Sequence, residues 1–497
     1  MPTDRPPRPT PPGAAEAAPG ADPVAAGLAA LTAHATVALE LGEIFAAAGH
    51  ELALVGGPVR DALLGRLVDD VDLDLTTDAP PERVIGLVRD WADAVWDVGI
   101  AFGTVGVRKG DHRLEITTYR AEAYDRESRK PEVTYGASLA DDLARRDFTV
   151  NALAVRLPSL EFVDLHGGVA DLRRGLLRTP GTPEQSFSDD PLRMMRAARF
   201  ASTLGFAVAS DVVVAMTQMC GRLAIVSAER VRDELVKLVL GAHPRAGLAL
   251  LVETGLAQLV LPELPALALE IDEHHRHKDV YEHSLTVLEQ AIALESAHEP
   301  ATGPDVVLRL AALMHDVGKP RTRRFEEDGR VSFHHHEVVG ARMTRKRLEA
   351  LRFSRETIDD VSRLVELHLR FHGYGDGEWT DSAVRRYVRD AGPLLTRLHK
   401  LTRADSTTRN RRKADRLART YDELEARIAR LSEEEELAAL RPALDGNRIM
   451  EILAIPPGRD VGAAYAFLLE LRLDRGPMSE TDAEAALRAW WSERPPA

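Results

Sequence analysis

Two aspartates at alternate positions, Asp72 and Asp74 in "VDLDL", follow a short β-like run that breaks on Gly56 and Gly57. Side chains at i and i+2 of a strand point the same way, so both carboxylates can hold one divalent cation. Glu115, in "RLEITTYR", is a candidate third carboxylate from a neighbouring strand. Hard oxygen ligands suit Mg2+, which binds a few carboxylates together with substrate phosphates. Gly56 and Gly57 let the backbone approach a triphosphate, and a helix opening at Pro58 favours negative charge at its N-terminus. Two cations there would activate an attacking hydroxyl and stabilise a leaving pyrophosphate, the chemistry of nucleotidyl transfer. A lone D-x-D beside Asp69 and Asp70 reads better as a solvated acidic stretch; the specificity lies in the whole run, G-G-x-x-R-D with Arg60, then L-L-G, then D-x-D.

A second set is spread more widely. His283 lies in "DVYEHSL", His315 and Asp316 adjoin in "AALMHDVGKP", and Asp405 lies in "LTRADSTT". Imidazole plus carboxylate suits a borderline divalent ion, so Mg2+, Mn2+, Ni2+ and Zn2+ all remain open. The order resembles the HD phosphohydrolase family, in which the four ligands come from separate helices of a bundle. In its binuclear members, positions similar to His336 and His368 complete a second metal site. His334 and His335, and His274, His275 and His277, read as solvated. Lys319 is either a phosphate contact or a charge at a helix end.

From about Ala25 to Arg156 helices alternate with strands. Pro58 can open a helix and Gly65 close it, and Pro80 and Pro81 start another near Glu82. "GTVGVRKGDHRLEITTYR" reads as two strands joined at Lys109–Asp111, with Gly110 in the turn. Ala121 to Ala137 reads as a mobile loop. Beyond about Gly181 strand signals nearly vanish. "DPLRMMRAARFASTLGF" is helical with Gly205 as its stop, and "SAERVRDELVKLVLG" is a helix between Ser227 and Gly241.

The bulk numbers fit this division. A chain of 497 residues suggests roughly three domains at about 150 residues each. Its 44% hydrophobic content supports several cores. A single cysteine, Cys220, excludes an internal disulfide framework and a cysteine-built zinc site and favours a reducing cytoplasm. The apolar segment Val24 to Ala48 is interrupted by His34, Glu40 and Glu43, as a helix of a packed core would be and a membrane span would not. The net charge of −14 does not exclude nucleic acid, because basic residues crowd from Ala341 to Arg352 and from Arg385 to Arg419.

The head motifs together resemble the nucleotidyltransferase superfamily, and within it the class II CCA-adding tRNA nucleotidyltransferases and the related bacterial poly(A) polymerases. "RRDFTVNALA" resembles the second motif of that family, which assigns Arg146 and Asp147 to the nucleotide sugar and phosphates with Asn151 in support. "FVDLHGGVADLRRGLLRTPG" resembles the connecting motif, in which Asp164 and Gly167 shape the turn into the neck. "DDPLRMMRAARF" resembles the E-D-x-x-R motif that reads the incoming base, with Asp189 where the family has Glu. The resemblance makes Asp190 and Arg193 the readers and Arg196 a further nucleotide contact; three apart, Asp190 and Arg193 are expected on one helical face. An acceptor beside a fork of donors suits C or A and not G or U.

The implied fold is α+β: a nucleotidyltransferase head with a small mixed β-sheet and helices, then an all-α neck and body that include an HD helical bundle. The expected divisions are a disordered tail at 1–22, the head at 23–180, a neck that binds base and tRNA at 181–270, the HD domain at 271–420 and a helical segment at 421–497. In that last segment Trp490 and Trp491 are expected to pack in a core. The implied activity is template-independent CCA addition to tRNA from CTP and ATP, with Mg2+ in the head and a divalent metal in the HD site. It implies no membrane partner. Alternatives are a poly(A) polymerase, a partial A-adding enzyme and a regulatory nucleotidyltransferase–HD sensor. The acidic "LSEEEEL" near the end argues against the first, and the short chain after the HD segment argues against the sensor.

Overall fold

The computed structural model describes residues 23–67, 72–99, 103–123, 132–135, 138–268, 280–327, 331–373, 379–407, 410–435 and 441–494. The tail at 1–22, Asp69, Asp70 and His274, His275 and His277 lie outside them. The chain divides into two compact units, Met1–Val260 and Leu261–Ala497.

The first unit is built on a seven-stranded sheet. Its strands are β1 (Leu52–Val55), β2 (Leu73–Thr77), β3 (Ala94–Gly99), β4 (Thr104–Lys109) and β5 (His112–Thr118), joined later in the chain by β8 (Leu153–Leu157) and β9 (Phe162–Asp164). The order is β3-β4-β5-β2-β1-β8-β9. β2 and β5 run parallel and the other neighbours antiparallel, so the sheet is mixed, as expected. All four β1 residues are buried, as a strand covered on both faces requires. Ala53 and Val55 join Tyr119, Leu139, Leu143, Ala152, Ala154 and Val163 in one core. The β4–β5 turn has Gly110 at φ 57, a left-handed conformation that glycine adopts without a Cβ penalty.

Between the first two strands, the helix Gly57–Leu63 begins with Pro58 in its first turn, and Gly65 at φ 64 follows it. Of the stretch Ala121 to Ala137, expected to be a mobile loop, 124–131, 136 and 137 lie outside the described residues. Its ends form an antiparallel ribbon of β6 (Arg120–Ala123) and β7 (Glu132–Tyr135), in register from Arg120–Tyr135 to Ala123–Glu132. Each strand has only four residues, the shortest run in which alternation can signal a strand.

Downstream, the helix Leu192–Leu204 ends at Gly205 with φ 73, and the Ser227 hydroxyl accepts from the Arg230 N–H at the start of Ala228–Val239. Leu176–Leu177 pairs in parallel with Ala207–Val208, a short ladder that no alternation announced.

The second unit is helical apart from one small ribbon, Arg324–Phe325 with Val331–Ser332, among the described residues. Helices Val280–Ala297, Val306–Met314, His336–Ala350, Arg355–Leu367 and Leu395–Asp405 pack together. Val306–Met314 is buried from Val307 onwards, so this is the central helix. Helices Gly446–Leu453, Arg459–Arg475 and Glu480–Ser492 enclose a separate core of Leu444, Ile449, Ile452, Ala464, Leu468, Ala483 and Leu487. Trp490 packs against that core and stacks on Phe467 at 4.8 Å, the packing role expected of it. Among the described residues no single helix is long and apolar enough to cross a membrane.

Candidate active site

β2 carries Asp74 and begins one residue after Asp72. The parallel register sets Asp74 opposite Glu115 of β5, and Asp72, just ahead of β2, is near enough for its charge to act on Asp74 as well. Asp72 and Glu115 are exposed and Asp74 is half-buried. Burial, with the nearby charges of Glu115 and Asp72, raises the Asp74 carboxyl above its usual range, and Arg146 offsets part of that rise. A half-buried carboxylate with two further acids beside it is a site in need of a cation, so this donor set fits a hard divalent ion.

Gly56 brings the backbone against this cluster. It stands at φ 74, and a Cβ there would lie 3.2 Å from Arg146 Nη1 and 3.5 Å from Asp74 Oδ2. Gly57 has more room, its nearest neighbour being Arg60 Nη2 at 3.8 Å.

Arg146 and Arg145 are held from behind by Asp142, a fully buried carboxylate that sequence reasoning missed. Its Oδ1 accepts from Arg145 Nη2 at 2.6 Å and its Oδ2 from Arg146 Nη2 at 3.1 Å. Against the upward push of burial, the two arginines keep the Asp142 carboxyl below its ordinary value.

The other expected nucleotide contacts form one chain of hydrogen bonds. Arg60 donates to Asp61 and, through Nη1, to Asn151 Oδ1 at 2.8 Å. Asn151 Nδ2 donates to Asp147 Oδ1 at 3.0 Å, and Arg196 Nε donates to Asp147 Oδ2 at 2.7 Å. Burial alone would raise the Asp147 carboxyl; Arg196 foremost, with Asn151 and Arg193, pulls it down to about 2.

Asp190 stands differently from expectation. It has extended backbone (φ −142, ψ 103) just ahead of the helix Leu192–Leu204, and not a place on the helical face. Pro191 accounts for this, because the residue before a proline is driven out of the helical region. Its Oδ1 accepts from the Leu192 N–H at 3.0 Å, and its Oδ2 accepts from Arg230 Nη2 at 3.0 Å. Arg193 is buried and donates to the Ser186 hydroxyl at 2.9 Å and the Arg145 carbonyl at 2.5 Å. Asp189, the departure from the motif, accepts from Gln185 at 2.7 Å. Arg230 had no local sequence signal beyond the Ser227 cap. The connecting motif closes its turn as expected: Asp164 accepts from the Gly168 and Val169 N–H groups, with Gly167 at φ 73.

In the second unit the four expected metal ligands, distant in sequence, meet. His283 Nε2 is 2.9 Å from Asp405 Oδ1 and 3.3 Å from His315 Nε2, and His315 Nε2 is 3.2 Å from Asp316 Oδ2. His336 and His368 gather on the other side of Asp316, their Nε2 atoms 3.2 and 4.0 Å from its Oδ1. Two three-residue groups result, His283–His315–Asp405 and Asp316–His336–His368, each compact enough to grip one ion.

Tautomers support this use. The Nδ1 atoms of His315, His336 and His368 contact the carbonyls of Ala312, Phe333 and Val365 at 2.8, 2.9 and 2.6 Å. An Nδ1–H donated to a carbonyl leaves Nε2 with its lone pair, the usual outer support of a metal-bound histidine. The buried Nε2 atoms of His336 and His368 make no hydrogen bond. Lys319 Nζ sits 2.9 Å from Asp316 Oδ2, an ion pair with one of the expected metal ligands. His334 and His335 are exposed, as expected.

Three family models match in order. They are the poly A polymerase head domain over residues 52–178, the probable RNA and SrmB-binding site of polymerase A over 205–267, and the HD domain over 280–410. The A-adding tRNA nucleotidyltransferase of Deinococcus radiodurans is 33% identical over 449 residues, 89% of this chain and 96% of its own. A CCA-adding enzyme of Lactiplantibacillus plantarum is 43% identical, over 46% of this chain and 53% of its own length. The Bacillus stearothermophilus CCA-adding enzyme solved in complex with CTP superposes with a TM-score of 0.66 at 26% identity, covering 92% of this chain and 97% of that one. Matched over nine-tenths of its length to a relative of this kind, the chain belongs to the tRNA nucleotidyltransferase family with a poly A polymerase head and an HD domain.

Proposed function

We propose that the protein rebuilds the 3′-terminal CCA of tRNA, attaching C twice and A once and releasing pyrophosphate each time. The observation that carries this reading is the facing of Asp74 and Glu115 across β2 and β5, with Gly56 and Arg146 against the same carboxylate. Mg2+ held by Asp72, Asp74 and Glu115 would supply the positive charge that activates the tRNA hydroxyl and stabilises the leaving pyrophosphate. Around it Arg146 meets the triphosphate, and the Arg60–Asn151–Asp147–Arg196 chain positions sugar and phosphates. Asp190 and Arg193 read the base edge, an acceptor beside donors, and so admit C and A. Asp142 holds Arg145 and Arg146 in place before substrate arrives, which reduces the ordering cost on binding.

The HD cluster is a metal-dependent phosphohydrolase centre. A divalent ion there would supply an activated water for phosphoester cleavage. The two histidine–carboxylate groups about Asp316 support a binuclear arrangement.

A second reading, addition of the terminal A alone, is favoured by the name of the relative matched over most of both chains. The deciding experiment supplies Mg2+, CTP and ATP, separately and together, to tRNA transcripts lacking the last three nucleotides or only the last, with products resolved to one nucleotide. Two additions with CTP and a third with both, then a stop, is the expected result. Extension only of the transcript ending in CC would make it an A-adding enzyme, a long ladder with ATP a poly(A) polymerase. No extension would overturn the head-site reading.

A further inference from the structure

Phe200 is buried at the end of the base-reading segment, and three guanidinium groups surround its ring. Arg199 Cζ lies 4.1 Å from the ring centroid, Arg60 Cζ 5.3 Å and Arg196 Cζ 5.8 Å. Each cation has its own carboxylate: Asp61 for Arg60, Asp147 for Arg196 and Glu234 for Arg199. Phe148, next in sequence to Asp147, meets the same ring edge-on, with centroids 5.8 Å apart and planes at 87°. Arg199 also feels the crowding: burial first, then the charges of Arg196 and Arg60, lower its pKa while Glu234 and Asp147 resist.

An aliphatic side chain could fill this volume but could not face several cations favourably. An aromatic face carries negative charge density and attracts a guanidinium, most strongly when both are shielded from water. We propose that Phe200 is a positioning residue for nucleotide binding. Its ring seats Arg60, Arg196 and Arg199 so that they meet the incoming triphosphate already gathered, each held from outside by one carboxylate. The inference rests on the proposed reading of Arg60 and Arg196 as nucleotide contacts and adds Arg199 to them. Two features separate this seat from ordinary packing. The three cations come from two helices, Gly57–Leu63 and Leu192–Leu204, so the ring ties the glycine-turn helix to the base-reading helix. The seat also holds its cations through the ring's quadrupole, which can be changed with little change of shape.

The test compares Phe200→Leu, which removes the ring, with pentafluorophenylalanine at position 200, which keeps its outline and reverses its quadrupole. Titration calorimetry with CTP and Mg2+ gives affinity, and single-nucleotide addition to tRNA gives KM and kcat. The expected result is a rise of about tenfold in Kd and KM for CTP in both variants, the worth of a shielded cation–π contact, with kcat changed less than twofold. A pentafluoro variant that binds CTP like the parent would overturn the proposal, because the ring would then serve as packing alone. A fall in kcat at unchanged Kd would overturn it too. Should the parent bind CTP but extend no tRNA, the functional reading fails while the affinity comparison still decides the role of the ring.

Discussion

Asp190 and Arg230, forty positions apart, meet at 3.0 Å through Oδ2 and Nη2. The other oxygen of Asp190 caps the helix Leu192–Leu204 at Leu192. The carboxylate assigned to base reading is therefore fixed at both oxygens before any base arrives. Arg230→Ala should free Oδ2 to rotate and so blur the choice between an amino group and a carbonyl on the base. The expected outcome is roughly a tenfold loss in the ratio of kcat/KM for CTP over UTP, the worth of one charge-assisted hydrogen bond. Competitive incorporation into tRNA measures it. An unchanged ratio would show that the helix cap alone sets the angle of Asp190.

Gly56 makes a sharper prediction. Gly56→Ala places a Cβ 3.2 Å from Arg146 Nη1 and 3.5 Å from Asp74 Oδ2, at a φ of 74 that side chains resist. Backbone strain of this kind costs about 1–3 kcal/mol. The larger consequence is displacement of Arg146 or Asp74, and a shift of about 1 Å in reacting groups costs on the order of a hundredfold in rate. The variant should stay folded by circular dichroism and lose activity by about that factor. Activity within threefold of the parent would mean that the turn has room to adjust.

Asp147 links the site to acid stability. Arg196 and its other partners hold its carboxyl at about 2, against an ordinary value of 3.8. A carboxyl depressed on folding stabilises the protein above its unfolded pKa and loses that contribution as pH falls through the folded value. The contribution of the Asp147 charge is therefore full above about pH 5 and disappears between about pH 4 and 2, amounting to about 2 kcal/mol. Chemical denaturation of the parent and of Asp147→Asn should show a stability gap that narrows by about this much across that window. A gap constant with pH would mean that the asparagine cost is steric.

How much of this could be read along the chain follows from what each feature needs. The Gly56–Gly57 turn and the Pro58 and Gly205 helix boundaries are local, and the structure has each of them, whereas β2 takes up Asp74 and begins just after Asp72. Glu115 is legible as a carboxylate on a neighbouring strand, and β5 does set it opposite Asp74. His283, His315, Asp316 and Asp405 are legible only through the resemblance of their order to the HD family, and the fold brings them together. Asp142, Arg230 and the Phe200 seat were not legible. Each acts through a partner on another element, and a buried aspartate, a helical arginine or a core phenylalanine has no pattern of its own. The β6–β7 ribbon escaped because four-residue runs are too short for their alternation to stand out.

Asp316 faces both three-residue groups, with Oδ2 3.2 Å from His315 and Oδ1 3.2 Å from His336, so one carboxylate can bridge two ions. His336→Ala removes a ligand from only one group, whereas Asp316→Ala removes the bridge. Metal analysis after loading with Mn2+ should therefore show one ion fewer per chain in His336→Ala or His368→Ala, and loss of both in Asp316→Ala. Single-nucleotide addition to tRNA should be unchanged in all three, because every carboxylate assigned to that reaction lies in the first unit. Loss of a single ion in Asp316→Ala would mean that the bridge is not shared and that the His283–His315–Asp405 group holds its ion alone. Retention of all metal in His368→Ala would remove that histidine from the ligand set and leave its buried Nε2 to be explained by packing, against the pattern in which its Nδ1 is already tied to the Val365 carbonyl.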